Sequence, residues 1–147
     1  MTRATRTFLF VTTLLLATPL AKAAPKFSYI SDPSLPDIAA VTYRLGKMPV
    51  ISINPALCKQ AGASLCEFYR YHEIAHIVLH HHDRDHLTTQ EKEDEADRWA
   101  AKYAPMHCVK AAYRFFSSGG GSTPHHGSSR TRAERMIASA GTRHTPN

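Results

Sequence analysis

The chain has 147 residues and a net charge of +6, and 43% of its residues are hydrophobic and 20% charged. This length predicts one domain rather than two, and the composition is typical of a globular protein. Three of the basic residues fall within the first 23 positions, so the rest of the chain carries a net charge of only +3. Because the remaining basic residues are scattered and lack accompanying aromatic residues, we expect no nucleic-acid binding.

The N-terminal segment has the features of a secretory signal peptide. Arg3 and Arg6 precede an apolar run over residues 8–20, and Ala21-Lys22-Ala23 places small residues at both positions of a cleavage site. The pattern predicts cleavage after Ala23 and export to the periplasm or the medium. The apolar run is short for a membrane span, so an uncleaved membrane anchor is the weaker alternative. We expect no stable membrane insertion after cleavage. A single domain of residues 24–147 would remain.

Three cysteines, Cys58, Cys66 and Cys108, would enter an oxidising compartment, where a disulfide can persist. We favour a Cys58–Cys66 disulfide, because a short helical turn can bring these two residues together. The other pairings stay open, and one thiol is left over. A zinc ion held by cysteines is a weaker alternative, since the chain has no Cys-x-x-Cys spacing.

Two strands are predicted before the first helix. Residues 24–37 contain three prolines, which predicts irregular structure. Residues 41–45 and 49–53 alternate as neighbouring strands, with a turn at Gly46. These strands are expected to cover the central helix, and an exposed edge strand can also pair with an extended peptide.

Two helices follow. Asn54 is a typical N-cap before Pro55 at the first helical position, and Gly62 can close this short helix. Ser64 and Glu67 are spaced as a capping box, which predicts that the next helix begins there. That helix carries enough apolar residues to be central in the domain, and it ends in the polar residues 80–83.

The central helix contains the pattern H-E-x-x-H as His72-Glu73-Ile74-Ala75-His76. Two imidazoles four residues apart lie on the same face of a helix, so both can bind one metal ion. Zinc accepts imidazole nitrogen and carboxylate oxygen in tetrahedral geometry, and a catalytic site keeps one position for water. Glu73 can then act on that water as a base. The pattern predicts a metallopeptidase with one Zn²⁺ per chain.

A second helix offers the third ligand. Thr88 and Glu91 form a predicted capping box for a helix that ends near Tyr103. Glu93 and Asp97 lie one turn apart beside the buried side of this helix. We predict that Glu93 binds the metal and that Asp97 hydrogen-bonds a ligating histidine. The sequence leaves several alternatives open: Glu91 or Glu95 as ligand, and surface pairing of Asp97 with Arg98 or Lys102.

His82 is another possible third ligand. It follows His76 by six residues, the spacing of the extended pattern H-E-x-x-H-x-x-G-x-x-H. That pattern needs glycine where this chain has Leu79, because the helix must stop and the chain must turn sharply. We therefore prefer Glu93.

The C-terminal part continues with a helix over residues 106–116 after Pro105, a flexible glycine-rich loop over 117–129 and a last helix over 130–140. Residues 141–147 are expected to form a frayed tail. His125 and His126 in the loop, and Tyr103, are candidate catalytic donors to the oxyanion of a peptide-hydrolysis intermediate. The loop histidines can alternatively close over the metal as a fourth ligand.

The H-E-x-x-H segment, together with the later Glu93-Asp94-Glu95-Ala96-Asp97, resembles the gluzincin metallopeptidases. The chain is most similar to the HtpX-like and CAAX-prenyl-endopeptidase-like family, with the ImmA/IrrE-type peptidases next, over about residues 41–116. The resemblance implies an α+β, small zincin-like domain, mostly helical, with a short strand pair packed on the H-E-x-x-H helix. It also implies His72, His76 and Glu93 as zinc ligands and Glu73 as the catalytic base.

One segment departs from that family, whose HtpX-like members often carry Ser-Thr-His-Pro followed by an arginine. This chain instead has Ser122-Thr123-Pro124-His125-His126, with the proline and histidine reversed. Which histidine corresponds stays open, as does the choice among Arg130, Arg132 and Arg135. We expect an exported zinc peptidase acting on a peptide or protein. The alternative is an exported metal-binding or interaction protein on an inactive peptidase scaffold.

Overall fold

The computed structural model describes residues 25–141, so the predicted signal peptide and most of the predicted tail lie outside the described residues. The described part is α+β and mostly helical, as expected. In this range no helix is both long and apolar enough to cross a membrane. The elements are strands β1 (Ser28–Ser31), β2 (Ala39–Thr42) and β3 (Val50–Ile53), helices α1 (Pro55–Ala61), α2 (Ala63–Val78), α3 (Thr89–Tyr103), α4 (Met106–Ser117) and α5 (Ser129–Ala140), and a 3₁₀ turn (His81–Asp83).

The three strands form one sheet in the order β1-β3-β2, with β1 parallel and β2 antiparallel to β3. The prediction of two neighbouring strands is confirmed, although β2 starts two residues and ends three residues earlier than expected. The prediction of irregular structure over residues 24–37 is wrong for β1. The prolines at 25, 33 and 36 flank Ser28–Ser31 without interrupting it, so its amides remain free to pair with β3.

The first helix has the predicted caps. The Asn54 side-chain oxygen accepts hydrogen bonds from the amides of Ala56 and Leu57, and Gly62 follows the helix with a φ of 85°. The predicted capping box at Ser64 is wrong, because α2 starts at Ala63 directly after Gly62 and has no side-chain cap. The predicted Cys58–Cys66 disulfide is confirmed, and it joins α1 to α2.

Helix α2 is the centre of the domain, since it packs against α1, α3, α4 and β2. Its residue Phe68 is fully buried and meets the ring of Phe116 from α4, with ring centroids 6.1 Å apart. Fully burying a side chain of this size contributes about 1.5–3 kcal/mol. This packing fixes the helix that carries His72, Glu73 and His76 relative to its neighbours.

Helix α3 begins at the predicted capping box. The Thr88 hydroxyl accepts a hydrogen bond from the Glu91 amide (3.2 Å), and Glu91 accepts one from the Thr88 amide (2.8 Å). The buried face of α3 consists largely of alanines, which allow close approach to α2. Helix α5 also packs on α3, and a hydrogen-bonded bridge between Thr123 and Gly127 lies in the loop before it. Glu93 and Asp97 therefore face α2 across a short distance.

Candidate metal centre

His72, His76 and Glu93, called the metal group below, come together between α2 and α3. Their ligand atoms lie within 4.8 Å of one another, so the group could hold a metal ion. The Nε2 atom of His72 is 2.9 Å from Oε2 of Glu93, and that of His76 is 3.5 Å from Oε1. The i, i+4 spacing of the two histidines directs both rings to the same side of α2. The structure thus brings together the three residues that the sequence favours.

The alternative ligands Glu91 and His82 are not members of the metal group. Glu91 belongs to the capping box of α3. The ring of His82 stacks on that of Tyr43, with centroids 4.4 Å apart, so His82 is not a member of the metal group. The reason is the turn after α2, where His80 adopts a left-handed conformation with a φ of 54°. This turn directs His81, rather than His82, back towards His76.

Asp97 hydrogen-bonds Nδ1 of His72, the ring nitrogen that points away from Glu93. Its Oδ1 atom accepts hydrogen bonds from His72 Nδ1 (3.0 Å) and Arg132 Nη2 (2.7 Å), and its Oδ2 from Arg132 Nε (2.9 Å) and Arg135 Nη1 (2.8 Å). Asp97 and Arg132 are both fully buried. Asp97 thus fixes the ring of His72 with Nε2 towards Glu93, as predicted. The alternative, a surface pair with Arg98 or Lys102, is wrong.

The carboxylates around His72 determine its charge. Burial opposes the positive charge, but the hydrogen bonds to Asp97 and Glu93 outweigh it and raise the pKa of His72 to about 10. Burial also opposes the negative charge of Glu93, which by itself would raise the pKa of Glu93. The hydrogen bonds from His72 and His76 outweigh this effect and hold the pKa of Glu93 well below its usual range. A proton on His72 Nε2 thus bridges to Glu93. A metal ion bound at that nitrogen would displace this proton, which links metal binding to proton release.

Arg132 and Arg135 are the arginines of the site, and Arg130 is not. Arg130 lies on the surface and pairs with Glu134 at 3.0 Å. Arg132 packs over the ring of Phe116, 4.2 Å from its centroid, and donates a hydrogen bond to the backbone of Gly121. Residues 132 and 135 are three apart and share a face of α5, while residue 130 lies two positions before 132 and points away.

A chain of hydrogen bonds holds His76. Its Nδ1 atom is 2.8 Å from Nδ1 of His81, and Nε2 of His81 is 3.1 Å from Oε2 of Glu95. Arg84 donates two hydrogen bonds to the same carboxylate. When His76 offers Nε2 to a metal, its proton lies on Nδ1 and is donated to His81, which in turn donates to Glu95. His81 is not among the predicted site residues, since its position depends on the left-handed turn at His80.

The contact with His81 predicts a specific effect on metal binding. Replacing His81 with Ala is expected to weaken metal affinity about 10-fold or more, because His76 loses the acceptor that fixes its tautomer and ring orientation. Competition with a chromophoric chelator measures the affinity. His82→Ala is the matched control, and its affinity should equal that of the unaltered chain. If His82→Ala weakens metal affinity more than His81→Ala does, the role assigned to His81 is wrong and His82 is a metal ligand.

Glu73 lies beside the metal group. Its Oε2 atom accepts a hydrogen bond from the amide of Val41 in β2 at 2.8 Å. Burial, opposed by the charge of His72 and aided by that of Glu93, raises the pKa of Glu73 to about 7. The side chain lines a cavity of about 370 Å³ that His76 and Glu93 also line. Solvent or a ligand in this cavity can therefore reach both Glu73 and the metal group.

Of the three candidate donors, His126 is the one that contacts the metal group. Its Nε2 atom lies 3.1 Å from Oε2 of Glu93, and burial lowers its pKa to about 4. His125 lines the same cavity. The prediction for Tyr103 is wrong: its ring is half exposed and packs on Trp99, with centroids 4.6 Å apart. Tyr103 follows Glu93 by ten residues, which is about 15 Å along a helix.

No protein-family model, curated protein or solved structure matches this chain. The resemblance to gluzincins therefore rests on the residues themselves and stays a prediction. The geometry of the site does not depend on this resemblance, because it follows from the packing of α2, α3 and α5, the turn at His80 and the loop before α5.

Proposed function

We propose that this chain is an exported zinc-dependent peptidase that hydrolyses peptide bonds through a metal-activated water. The observation that carries the proposal is Glu73, a buried carboxyl group at the wall of the cavity that His76 and Glu93 of the metal group also line. Two imidazole nitrogens and one carboxylate oxygen are a typical ligand set for catalytic zinc, with a fourth position for water. A purely structural zinc site has no need of Glu73 there. The disulfide between Cys58 and Cys66 supports export, since disulfides persist in oxidising compartments.

In this proposal each residue of the site has a separate role in the reaction. Zinc, when bound, lowers the pKa of the water molecule that it holds. Glu73 removes the proton from that water and later passes it to the leaving amine. Its Oε2 atom is engaged by the Val41 amide, so Oε1 is the atom that takes the proton. Asp97 and His81 keep the rings of His72 and His76 in place throughout.

His126 is the proposed donor to the developing oxyanion. Its Nε2 atom faces the Glu93 carboxylate, which favours a proton on this nitrogen. The other nitrogen, Nδ1, then accepts a hydrogen bond from the Thr123 hydroxyl at 2.8 Å, and the hydroxyl oxygen accepts one from the His126 amide at 3.0 Å. Thr123 thereby holds His126 neutral with its N–H towards the site. This tautomer suits an oxyanion donor, whereas a fourth metal ligand would need a lone pair at Nε2.

The two loop histidines allow a matched test. Replacing His126 with Ala is expected to lower kcat about 100-fold, because the transition state loses a hydrogen bond. Zinc affinity should fall far less, because the substitution removes a contact to Glu93 but no zinc ligand. Steady-state hydrolysis of a fluorogenic peptide and a zinc competition titration measure the two quantities. His125→Ala is the control and should retain kcat. A fall in zinc affinity as large as that in His76→Ala would instead identify His126 as a ligand.

Strand β2 and a second cavity are the proposed binding surfaces for the peptide substrate. Strand β2 is an edge of the sheet, and its residues 39–41 line the cavity with Glu73, so an extended peptide can pair with this strand. A neighbouring cavity of about 510 Å³ shares Asp37 and His126 with the first. Its walls are mainly apolar and include Ile38, Leu65, Tyr69 and Phe115. We propose that it accepts an apolar side chain next to the scissile bond.

The function is tested with the purified, zinc-loaded protein and unfolded casein. We expect cleavage of casein, loss of cleavage on addition of a chelator, and recovery when zinc is restored. Mass spectrometry of the fragments should show large apolar residues at one side of the cleaved bonds. A protein that binds zinc but cleaves neither casein nor a peptide library would contradict the proposal. That outcome would favour a metal-binding or interaction protein on an inactive scaffold.

A further inference from the structure

A second group of metal-ligating side chains lies outside the metal group, between α2 and the start of α4. It consists of Glu67, His107 and Cys108, whose ligand atoms lie within 4.8 Å of one another. None of these residues contributes to the proposed catalysis. We propose that they form a second site for a divalent metal ion of the zinc type.

The distances in this second site are close to those of tetrahedral coordination. Oε2 of Glu67 is 3.4 Å from Sγ of Cys108 and 3.9 Å from Nε2 of His107. Around a tetrahedral zinc ion with the usual bond lengths, two ligand atoms are separated by about 3.3–3.6 Å. All three donor atoms lie within 4.8 Å of one another, so rotation of the exposed Glu67 and His107 side chains can bring them around one ion with Cys108. The carboxylate of Glu67 is available because the predicted capping box with Ser64 does not form.

The donor types select the class of ion. A thiolate, an imidazole and one carboxylate suit zinc and similar transition metals, whereas calcium and magnesium prefer sites made of oxygen alone. Cys108 is the available thiol because Cys58 and Cys66 form the disulfide. The chain therefore places its one free thiol beside a histidine and a carboxylate.

Burial differs among the three donors in a way that admits an ion. Cys108 is fully buried, whereas 43% of the Glu67 side chain and 65% of the His107 side chain are exposed. An ion can approach from solvent between Glu67 and His107, and the thiolate anchors it from the interior. The fourth position then faces water. Binding requires that the thiol release its proton to the solvent, so the affinity rises with pH.

Cobalt substitution tests this site separately from the metal group. Thiolate bound to Co²⁺ gives a near-ultraviolet charge-transfer band, which two histidines and a glutamate cannot produce. Titration of the oxidised, full-length protein with Co²⁺ is expected to give two ions per chain and this band. In Cys108→Ser the band should vanish and one ion per chain should remain. In His107→Ala, an exposed substitution that should not affect folding, the affinity associated with the band should fall at least 10-fold.

His86→Ala removes another exposed histidine and should leave the titration unchanged. A stoichiometry of one without the charge-transfer band, or a band that survives Cys108→Ser, would overturn the second site. The outcome does not depend on the proposed peptidase function. If the metal group of His72, His76 and Glu93 does not bind Co²⁺, the titration gives one ion per chain instead of two. The charge-transfer band from Cys108 is still observed in that case.

Discussion

Replacing Glu73 with Gln is expected to lower peptidase turnover by about 10²–10⁴-fold, the range contributed by a positioned general base. The amide can still accept the hydrogen bond from Val41, but it cannot take a proton from water. Zinc affinity should change little, since Glu73 is not a member of the metal group. Hydrolysis of a fluorogenic peptide and zinc stoichiometry on the same preparation measure both effects.

The fold should tolerate this substitution. In the metal-free chain the pKa of Glu73 is raised to about 7, so the ionised carboxyl group opposes folding at higher pH and its loss removes that penalty. Glu134→Gln on the exposed face of α5 is the control and should retain full turnover. If Glu73→Gln binds one catalytic zinc ion and its turnover is unchanged, the peptidase proposal fails.

Replacing Asp97 with Ala is expected to lower the free energy of unfolding by about 3–5 kcal/mol, because Arg132 remains buried without its carboxylate and Arg135 keeps only its ion pair with Asp94. His72 also loses the acceptor at Nδ1, so zinc affinity should fall about 10–100-fold. Urea denaturation of the metal-free protein measures the stability, and a competition titration measures the affinity.

The surface pair Arg130–Glu134 provides the control for charge. Both side chains are largely exposed, so Arg130→Ala should cost less than about 1 kcal/mol. The pKa of Asp97 is held well below its usual range because hydrogen bonds from His72 and the charge of Arg132 outweigh the effect of burial. The stability that Asp97 contributes is therefore present above pH 4 and is lost as the pH falls further. An Asp97→Ala protein as stable as Arg130→Ala would show that the buried network contributes no stability.

Most features that depend on near neighbours in the chain could be predicted from the sequence, the capping box at Ser64 excepted. The caps at Asn54 and Thr88 involve atoms within three residues, and the spacing of His72 and His76 follows directly from the helical repeat. The disulfide between Cys58 and Cys66 is also local, with a separation of eight residues. Each of these contacts forms once the local backbone is helical.

Tertiary packing decided which of several equivalent side chains belongs to the site. The acids of α3 look alike in the sequence, but the packing of its alanine face on α2 directs Glu93 to the histidines and leaves Glu91 in a cap and Glu95 with Arg84. Likewise, Arg132 and Arg135 reach Asp97 because α5 packs on α3. The left-handed turn at His80 selects His81 over His82.

The H-E-x-x-H segment by itself therefore determined two histidines on one helical face with a carboxylate beside them, because this arrangement needs only the geometry of an α-helix. The third residue of the metal group, the residues that hold the two histidines and the pairing of β1 with β3 depend on contacts between distant parts of the chain. Such contacts follow from how helices and strands bury their apolar faces against one another, and that arrangement exists only in the folded domain.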